Sequence, residues 1–320
     1  MKEFLKCVPI SICGLILGLA SLGNLVKEYG HLRLGNGMGI CAGILLLPVL
    51  AKLIVTFTHA KQGLEDPVIA SVAPTFTMAV MVLCTYLLQI EGIAPFVKYL
   101  WVLAILGHYG LMAVFTFRFL IKPSVKLAHL YPSWFIVYVG LGVIAVTSGR
   151  FSPLTGQINF WIGLFTYLVL LPLIIYRVFK IKNMPDPTLP LITIISAPGS
   201  LELTGYLKAF PHPQLGLVLL LLLLSQVLYG FILTRLVKLL PLPFYPSYAA
   251  FTFPLVISAF AATEAARYLS AAGYSAEWLE LLAKSETLLA AAVVLFVLIH
   301  YLNFLRKATA DVLHRAPELD

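Results

Sequence analysis

Ten long runs of apolar residues, with few charges inside them, dominate this chain of 320 residues. Hydrophobic residues make up 60% of it and charged residues only 11%, whereas a water-soluble domain carries about 25% charged residues. A helix needs about 20 apolar residues to cross the hydrocarbon core of a bilayer. We therefore expect an all-α polytopic membrane protein with ten transmembrane helices, near residues 7–26, 37–58, 68–90, 95–120, 132–149, 157–179, 188–207, 214–237, 246–267 and 279–304.

The distribution of positive charge predicts the orientation of these helices. If the N-terminus is cytoplasmic, 15 of the 22 Lys and Arg residues lie on the cytoplasmic side and seven on the outer side. Cytoplasmic loops are enriched in Lys and Arg, so both termini are expected in the cytoplasm of a multi-pass cell-membrane protein. The first run is expected to be a retained span, because no small-residue cleavage site follows it. The net charge is +8, and the basic residues are scattered through short loops rather than gathered on one face. We therefore expect the lipid bilayer as a partner and no nucleic acid.

Prolines recur in the odd-numbered runs at intervals of 65, 58, 66 and 56 residues. Even-numbered runs are more uniformly Leu-rich, so the pattern predicts an internal repeat of one helical hairpin. A single transmembrane domain, 1–305, would contain five such repeats, followed by a short cytoplasmic tail, 306–320. The five prolines are Pro9, Pro74, Pro132, Pro198 and Pro254, and the five repeats are about 1–62, 63–125, 126–182, 183–240 and 241–305.

A proline inside a helix removes a hydrogen bond and frees backbone carbonyls. At membrane depth these carbonyls are tolerated where the helix is packed in protein or lines a watery cavity. Five breaks in register therefore predict a ring of odd-numbered helices around a central path, with the even-numbered helices outside. In the alternative interpretation each proline only shapes helix packing, since proline is common in membrane helices.

No pattern of catalytic or metal-binding residues accompanies these helices. Four cysteines lie mostly within apolar runs without C-x-x-C spacing, and the seven histidines are dispersed. Nucleotide-binding and hydrolase motifs are absent from the sequence. We therefore predict no metal, no cofactor and no enzymatic activity.

Four segments carry a resemblance to a known family. "DPVIASVAPTFTM" (66–78), "YPSWFIVYVGLGV" (131–143), "ISAPGSLELTGY" (195–206) and "PSYAAFTFPLVISAFA" (246–261) resemble the tellurite-resistance/dicarboxylate transporter family. That family includes TehA-type bacterial channels, malic-acid transporters and the slow anion channels of plant guard cells. The resemblance implies five hairpins in pseudo-fivefold symmetry around a pore, often within a homotrimer.

The resemblance also implies a phenylalanine on the ninth helix that closes the pore. The matching stretch, "FTFPL", offers Phe251 and Phe253. Residues two apart on a helix point about 200° away from each other, so only one can face the axis. Phe253 directly precedes Pro254, as in the family pattern, and is the expected gate, with Phe251 as the alternative. A purely packing role for this aromatic residue stays open.

The function implied is that of an anion channel or transporter. Its substrates would be small anions: a C4-dicarboxylate such as malate, or inorganic anions, with a role in tellurite resistance. One alternative is a proton-coupled secondary exporter of dicarboxylates that uses Glu202. A non-conducting membrane sensor or a membrane-embedded enzyme is a further alternative of another class.

A few polar residues interrupt the apolar runs. Glu202 lies in the seventh run, where an ionised carboxylate costs about 2.5–3.5 kcal/mol. It is expected either to sense pH or couple protons, or to lie near the outer mouth and meet water. Glu264 and Arg267 are spaced to form a salt bridge on one helix face. His108 is expected to form hydrogen bonds between helices, and Lys52 to reach the cytoplasmic interface.

Overall fold

The computed structural model describes residues 2–121 and 130–315, and every regular element within these ranges is a helix. Ten helical units follow one another in this part of the chain, at the positions expected from the apolar runs. Short helices, Lys2–Cys7 and Phe57–Gly63, precede the first and third units. The five even-numbered units are α2 (Leu32–Val55), α4 (Ala94–Thr116), α6 (Pro153–Tyr176), α8 (Leu215–Leu239) and α10 (Glu277–Arg315).

Odd-numbered units are shorter, interrupted, or change helix type partway. Unit α1 is Ile12–Glu28, and α3 consists of Pro67–Val72 and Thr75–Leu87. The segments of the other three units are Trp134–Tyr138, Val139–Leu141 and Gly142–Thr147 in α5, Asp186–Ser196 and Ala197–Ala209 in α7, and Pro246–Phe251 and Thr252–Ala271 in α9. In α7 and α9 the first segment is a 3₁₀-helix that leads into an α-helix.

Local sequence explains several helix ends. Asp66 caps the start of α3, where its carboxylate accepts hydrogen bonds from the amides of Val68 (2.8 Å) and Ile69 (2.9 Å). Units α1 and α9 end in turns that contain Gly30 and Gly273, with φ angles of 86° and 85°. Glycine adopts this left-handed conformation without steric cost. The two turns connect α1 to α2 and α9 to α10, so the first and last hairpins are joined in the same way.

The odd-numbered units form a closed ring. Each of them packs on the next one, α1 on α3, α3 on α5, α5 on α7 and α7 on α9, and α9 returns to α1. Each even-numbered helix packs outside the ring against the odd-numbered unit that precedes it. Burial agrees with this arrangement, because 89% of the most apolar window in Pro246–Ala271 is buried but only 28% of that in Ala94–Ile121. The exposed side chains of the outer helices are largely apolar, as a lipid-facing surface requires.

Seven helices within the described residues are long and apolar enough to cross a membrane. They comprise the five even-numbered units and α3 and α9. This confirms the expected class, an all-α polytopic membrane protein, while the count of ten spans stays a prediction. The repeat boundary at 125/126 lies outside the described residues, as do Lys122 and Lys126. Helix α10 continues through the boundary expected at 305/306.

Candidate functional site

Each of the five prolines lies where an odd-numbered unit is broken or begins. Pro9 separates the short N-terminal helix from α1, and Pro74 separates the two parts of α3. Pro132 comes just before α5, whereas Pro198 and Pro254 lie in the first turn after the 3₁₀ segments of α7 and α9. The missing amide and the bulk of the proline ring explain why a regular helix does not run through these positions.

Side-chain donors satisfy backbone carbonyls near the breaks. Thr75 Oγ1 donates to the carbonyl of Val72 (2.7 Å) in α3, and Thr252 Oγ1 donates to that of Ala249 (2.7 Å) in α9. Near Pro9 the donor is the ammonium of Lys52. Carbonyls that lose their helical partner inside a membrane protein need another donor, and the polar residues near the prolines supply it.

Three cavities follow one another through the ring. The lower cavity, of about 540 Å³, lies at the end where the chain begins; the middle cavity measures about 60 Å³ and the upper cavity about 480 Å³. All residues that line the middle cavity belong to α1, α3, α5, α7 and α9 or to their 3₁₀ segments, apart from Ser11 just before α1. The middle cavity has the smallest volume of the three and is almost entirely apolar.

Phe253 and Leu201 line both the middle and the upper cavity, so they form the boundary between the two. Phe253 is 8% exposed. Phe251 is fully buried, lines none of the three cavities and packs against the Tyr248 ring, with 5.0 Å between centroids. The helical rotation of about 200° between the two residues accounts for the difference. Of the two candidates, only Phe253 lines these cavities, and its role as a gate stays a prediction.

Close packing of α1 against α9 holds the backbone beside Phe253. Thr252 Oγ1 lies 3.0 Å from the carbonyl oxygen of Gly14. A Cβ atom on Gly18 would lie 2.7 Å from Thr252 Cβ, closer than real Cβ atoms approach another atom, and 3.0 Å from the Phe253 nitrogen. Glycine at position 18 is therefore required for this approach.

Glu202 does not line any of the three cavities, and its side chain is fully buried. Its carboxylate lies between α5 and α6, against Gly142 and Gly163, and no atom of the described residues forms a hydrogen bond with it. The expectation that it lies at the outer mouth and meets water is wrong. Its role as a pH-sensing or coupling residue stays a prediction.

Lys52 is buried within the protein and satisfies backbone carbonyls. Its side chain is 5% exposed, and its ammonium donates to the carbonyls of Lys6 (3.0 Å) and Val8 (2.6 Å). These carbonyls lie at the end of the helix that Pro9 interrupts, where a cation also complements the helix dipole. Lys52 therefore closes the break at Pro9 from the wall of the lower cavity, and its position at the cytoplasmic interface stays a prediction.

Two smaller expectations are confirmed. His108 is fully buried between α3 and α5, with Nδ1 3.0 Å from Thr77 Oγ1 and Nε2 3.2 Å from the carbonyl of Val137. Glu264 and Arg267 form an ion pair at 3.2 Å. The described residues contain no group of three or more His, Cys, Asp or Glu that could hold a metal ion.

Sequence reasoning missed the convergence of charge in the upper cavity. Lys27, at the end of α1, and Arg150, just after α5, line the same cavity although 123 positions separate them. Lys208 lines it as well and is paired with Glu28 (3.4 Å) and Glu264 (2.9 Å). Only the folded ring brings these residues together, so no spacing in the sequence signals them.

Comparison with known proteins agrees with this architecture. Two uncharacterized transporters of Methanocaldococcus jannaschii are similar to the chain. One is 29% identical over 214 residues, which cover 60% of this chain and 63% of the relative, and the other is 27% identical over 234 residues, 66% and 67% respectively. The chain thus matches slightly less than two thirds of the first relative's length. A family model described as SLAC1, voltage-dependent anion channel, matches residues 7–306. A match over nearly the whole length shows that this chain belongs to the SLAC1 family of anion channels.

Proposed function

We propose that this protein passes small anions across the cell membrane along the axis of the ring, and that Phe253 gates the path. The observation that carries the proposal is the middle cavity, which odd-numbered units line and which Phe253 and Leu201 separate from the upper cavity. A narrow apolar constriction excludes water and ions until it widens. Moving the Phe253 ring aside would join the two cavities.

The charges at the two ends support anions as the substrate class. Lys6 and Lys52 line the lower cavity beside one acidic residue, Asp66, and Lys27, Arg150 and Lys208 line the upper one beside one acidic residue, Glu28. Basic residues thus outnumber acidic ones at both mouths, and a net positive potential there raises the local anion concentration. The middle cavity has no charged lining, which suits conduction because strong binding slows release. We propose a C4-dicarboxylate such as malate, or inorganic anions, as the substrate, and tellurite resistance as a consequence of such transport.

Lys and Arg residues are enriched on the cytoplasmic side of membrane proteins. We therefore propose that the lower cavity opens to the cytoplasm, with both termini on that side. From the family resemblance we also propose that the functional unit is a homotrimer.

The gate is tested by recording from purified protein in planar bilayers, in chloride, nitrate and malate. We expect Phe253→Ala to raise the basal conductance at least about tenfold, because removal of the ring widens the constriction. The matched control is Phe251→Ala, two residues away on the buried face, which we expect to leave the conductance per channel unchanged. Unchanged conductance in Phe253→Ala would show that Phe253 is not the gate. An increase confined to Phe251→Ala would assign the gate to Phe251.

A second candidate function is proton-coupled export, because a fully buried carboxyl without a hydrogen-bond partner, Glu202, lies in the ring. The same preparation separates the two functions. Anion flux that persists without a pH gradient, in wild type and in Glu202→Gln alike, excludes obligatory coupling. Flux that needs the gradient and is lost in Glu202→Gln supports the exporter, and no flux of any anion supports a sensor.

A further inference from the structure

Most of the charge around the upper cavity is neutralised within the protein. Lys208 pairs with Glu28 and Glu264, and Arg267 pairs with the same two carboxylates at 2.5 and 3.2 Å. Two positive and two negative side chains thus form a balanced network at the ends of α1, α7 and α9. This network needs no further partner.

Lys27 is different, although it directly precedes Glu28 on the same helix. The residue lines the cavity, its ammonium is shielded from solvent, and no oxygen atom of the described residues accepts a hydrogen bond from it. The ammonium lies 3.5 Å from the centroid of the Tyr86 ring, which is itself held by a hydrogen bond from its hydroxyl to the carbonyl of Ala20 (2.5 Å). An aromatic face attracts a cation but leaves all three N–H groups to be satisfied.

Arg150 adds a second positive charge to the same wall. Within the described ranges no carboxylate lies within 4.0 Å of Lys27 or Arg150. Two like charges that line one cavity repel each other, and the Lys27 ammonium, unlike the exposed Arg150, also bears the cost of burial without a partner. An anion between them would relieve both costs. Ser21, Asn24, Thr85 and Gln89 line the cavity beside them and supply neutral polar groups.

We propose that the upper cavity contains a binding site for a small divalent oxyanion, held by Lys27 and Arg150, ahead of the Phe253 constriction. Two unpaired cations match two negative charges, and planar carboxylate or oxyanion groups accept the paired hydrogen bonds of a guanidinium. A volume of about 480 Å³ lies in the range of small-molecule sites. The inference deepens the proposed function, since it names the charge class that the pathway selects at this mouth.

Binding is tested first without conduction. Purified protein in detergent is unfolded thermally in sodium malate, sodium sulfate or sodium chloride at matched ionic strength. We expect the divalent anions to raise the melting temperature of the wild type above its value in chloride, because a ligand that binds only the folded state stabilises it. Lys27→Met should lose most of this increase, and Lys27→Arg should keep it. Lys98→Met, an exposed lysine on α4 away from the cavity, is the matched control and should behave as wild type.

Flux from the upper side is the second measurement. Losing one charged hydrogen-bond donor is expected to raise the half-saturating malate concentration about tenfold in Lys27→Met, with a smaller change for chloride. If Lys27→Met does not fold, Arg150→Gln at the exposed rim takes its place. Equal behaviour of Lys27→Met, Arg150→Gln and Lys98→Met in both measurements overturns the site. Malate stabilisation that depends on Lys27 in a protein without flux supports the site and rejects the proposed function.

Discussion

Phe251 and Phe253 show how much a single position decides in this protein. One ring is packed against Tyr248 and lines none of the three cavities, and the other lies at the boundary between two of them. The chemistry of the two residues is identical, so the difference comes from their rotation about the helix axis. At this scale the sequence could name both candidates, and the family pattern before Pro254 favoured Phe253, the residue that lines cavities; its role as a gate stays a prediction.

The hydrogen bonds of Lys52 predict a loss of thermal stability when this residue is replaced. Replacing it with Met removes the donor of two hydrogen bonds and leaves the carbonyls of Lys6 and Val8 without it. A buried polar group without a partner costs about 1–3 kcal/mol, so we expect Lys52→Met to unfold at a clearly lower temperature in detergent. Lys61→Met removes the same charge from an exposed position on the short helix Phe57–Gly63 and should leave the melting temperature unchanged. Equal melting temperatures of the two variants would contradict the assigned role.

At the scale of elements, glycines mark where two helices approach closely and where they do not. Gly14 and Gly18 of α1 lie against α9, and Gly35 of α2 lies against the carbonyl of Gly23. Gly35, Gly39 and Gly43 recur every four residues on α2, a spacing that is typical of helices in close contact. Gly43 nevertheless has no atom within 4 Å of a Cβ built on it, so the spacing by itself does not distinguish the glycines that pack from those that face outward.

The pair Gly18 and Gly43 gives a matched test of packing between α1 and α9. In Gly18→Ala the new methyl group would meet Thr252 at 2.6–2.7 Å, and overpacking of this kind costs about 1–3 kcal/mol. We expect a lower melting temperature together with an altered conductance, because Phe253 follows Thr252 directly. Gly43→Ala adds a methyl group in open space and should be neutral or slightly stabilising. A Gly18→Ala variant as stable as Gly43→Ala would show that α9 moves freely away from α1.

At the scale of the whole molecule, burial separates the two sets of helices. Odd-numbered units pack on one another in a closed ring, and even-numbered helices present apolar side chains outward. Because lipid cannot satisfy a broken backbone, the proline breaks belong inside the ring.

The orientation of the whole molecule in the membrane can be tested by labelling introduced cysteines. With Cys7, Cys13, Cys41 and Cys84 replaced, a single cysteine is introduced at His31 or at His59, both of which are exposed. Loops richer in Lys and Arg stay on the cytoplasmic side, so a membrane-impermeant maleimide should label His31→Cys in intact cells and His59→Cys only after permeabilisation. The reverse pattern would place both termini outside.

Apolar runs of membrane length and prolines near sixty-residue intervals specify where helices form and where they break, because these are properties of neighbouring residues. The same local reasoning identified Glu202 as a candidate for proton sensing. It could not predict that Glu202 lines none of the three cavities. Tertiary structure alone decided which residues share a cavity, as with Lys27 and Arg150, and which carbonyls Lys52 satisfies. Those contacts join positions far apart in the chain, and only closure of the ring creates them.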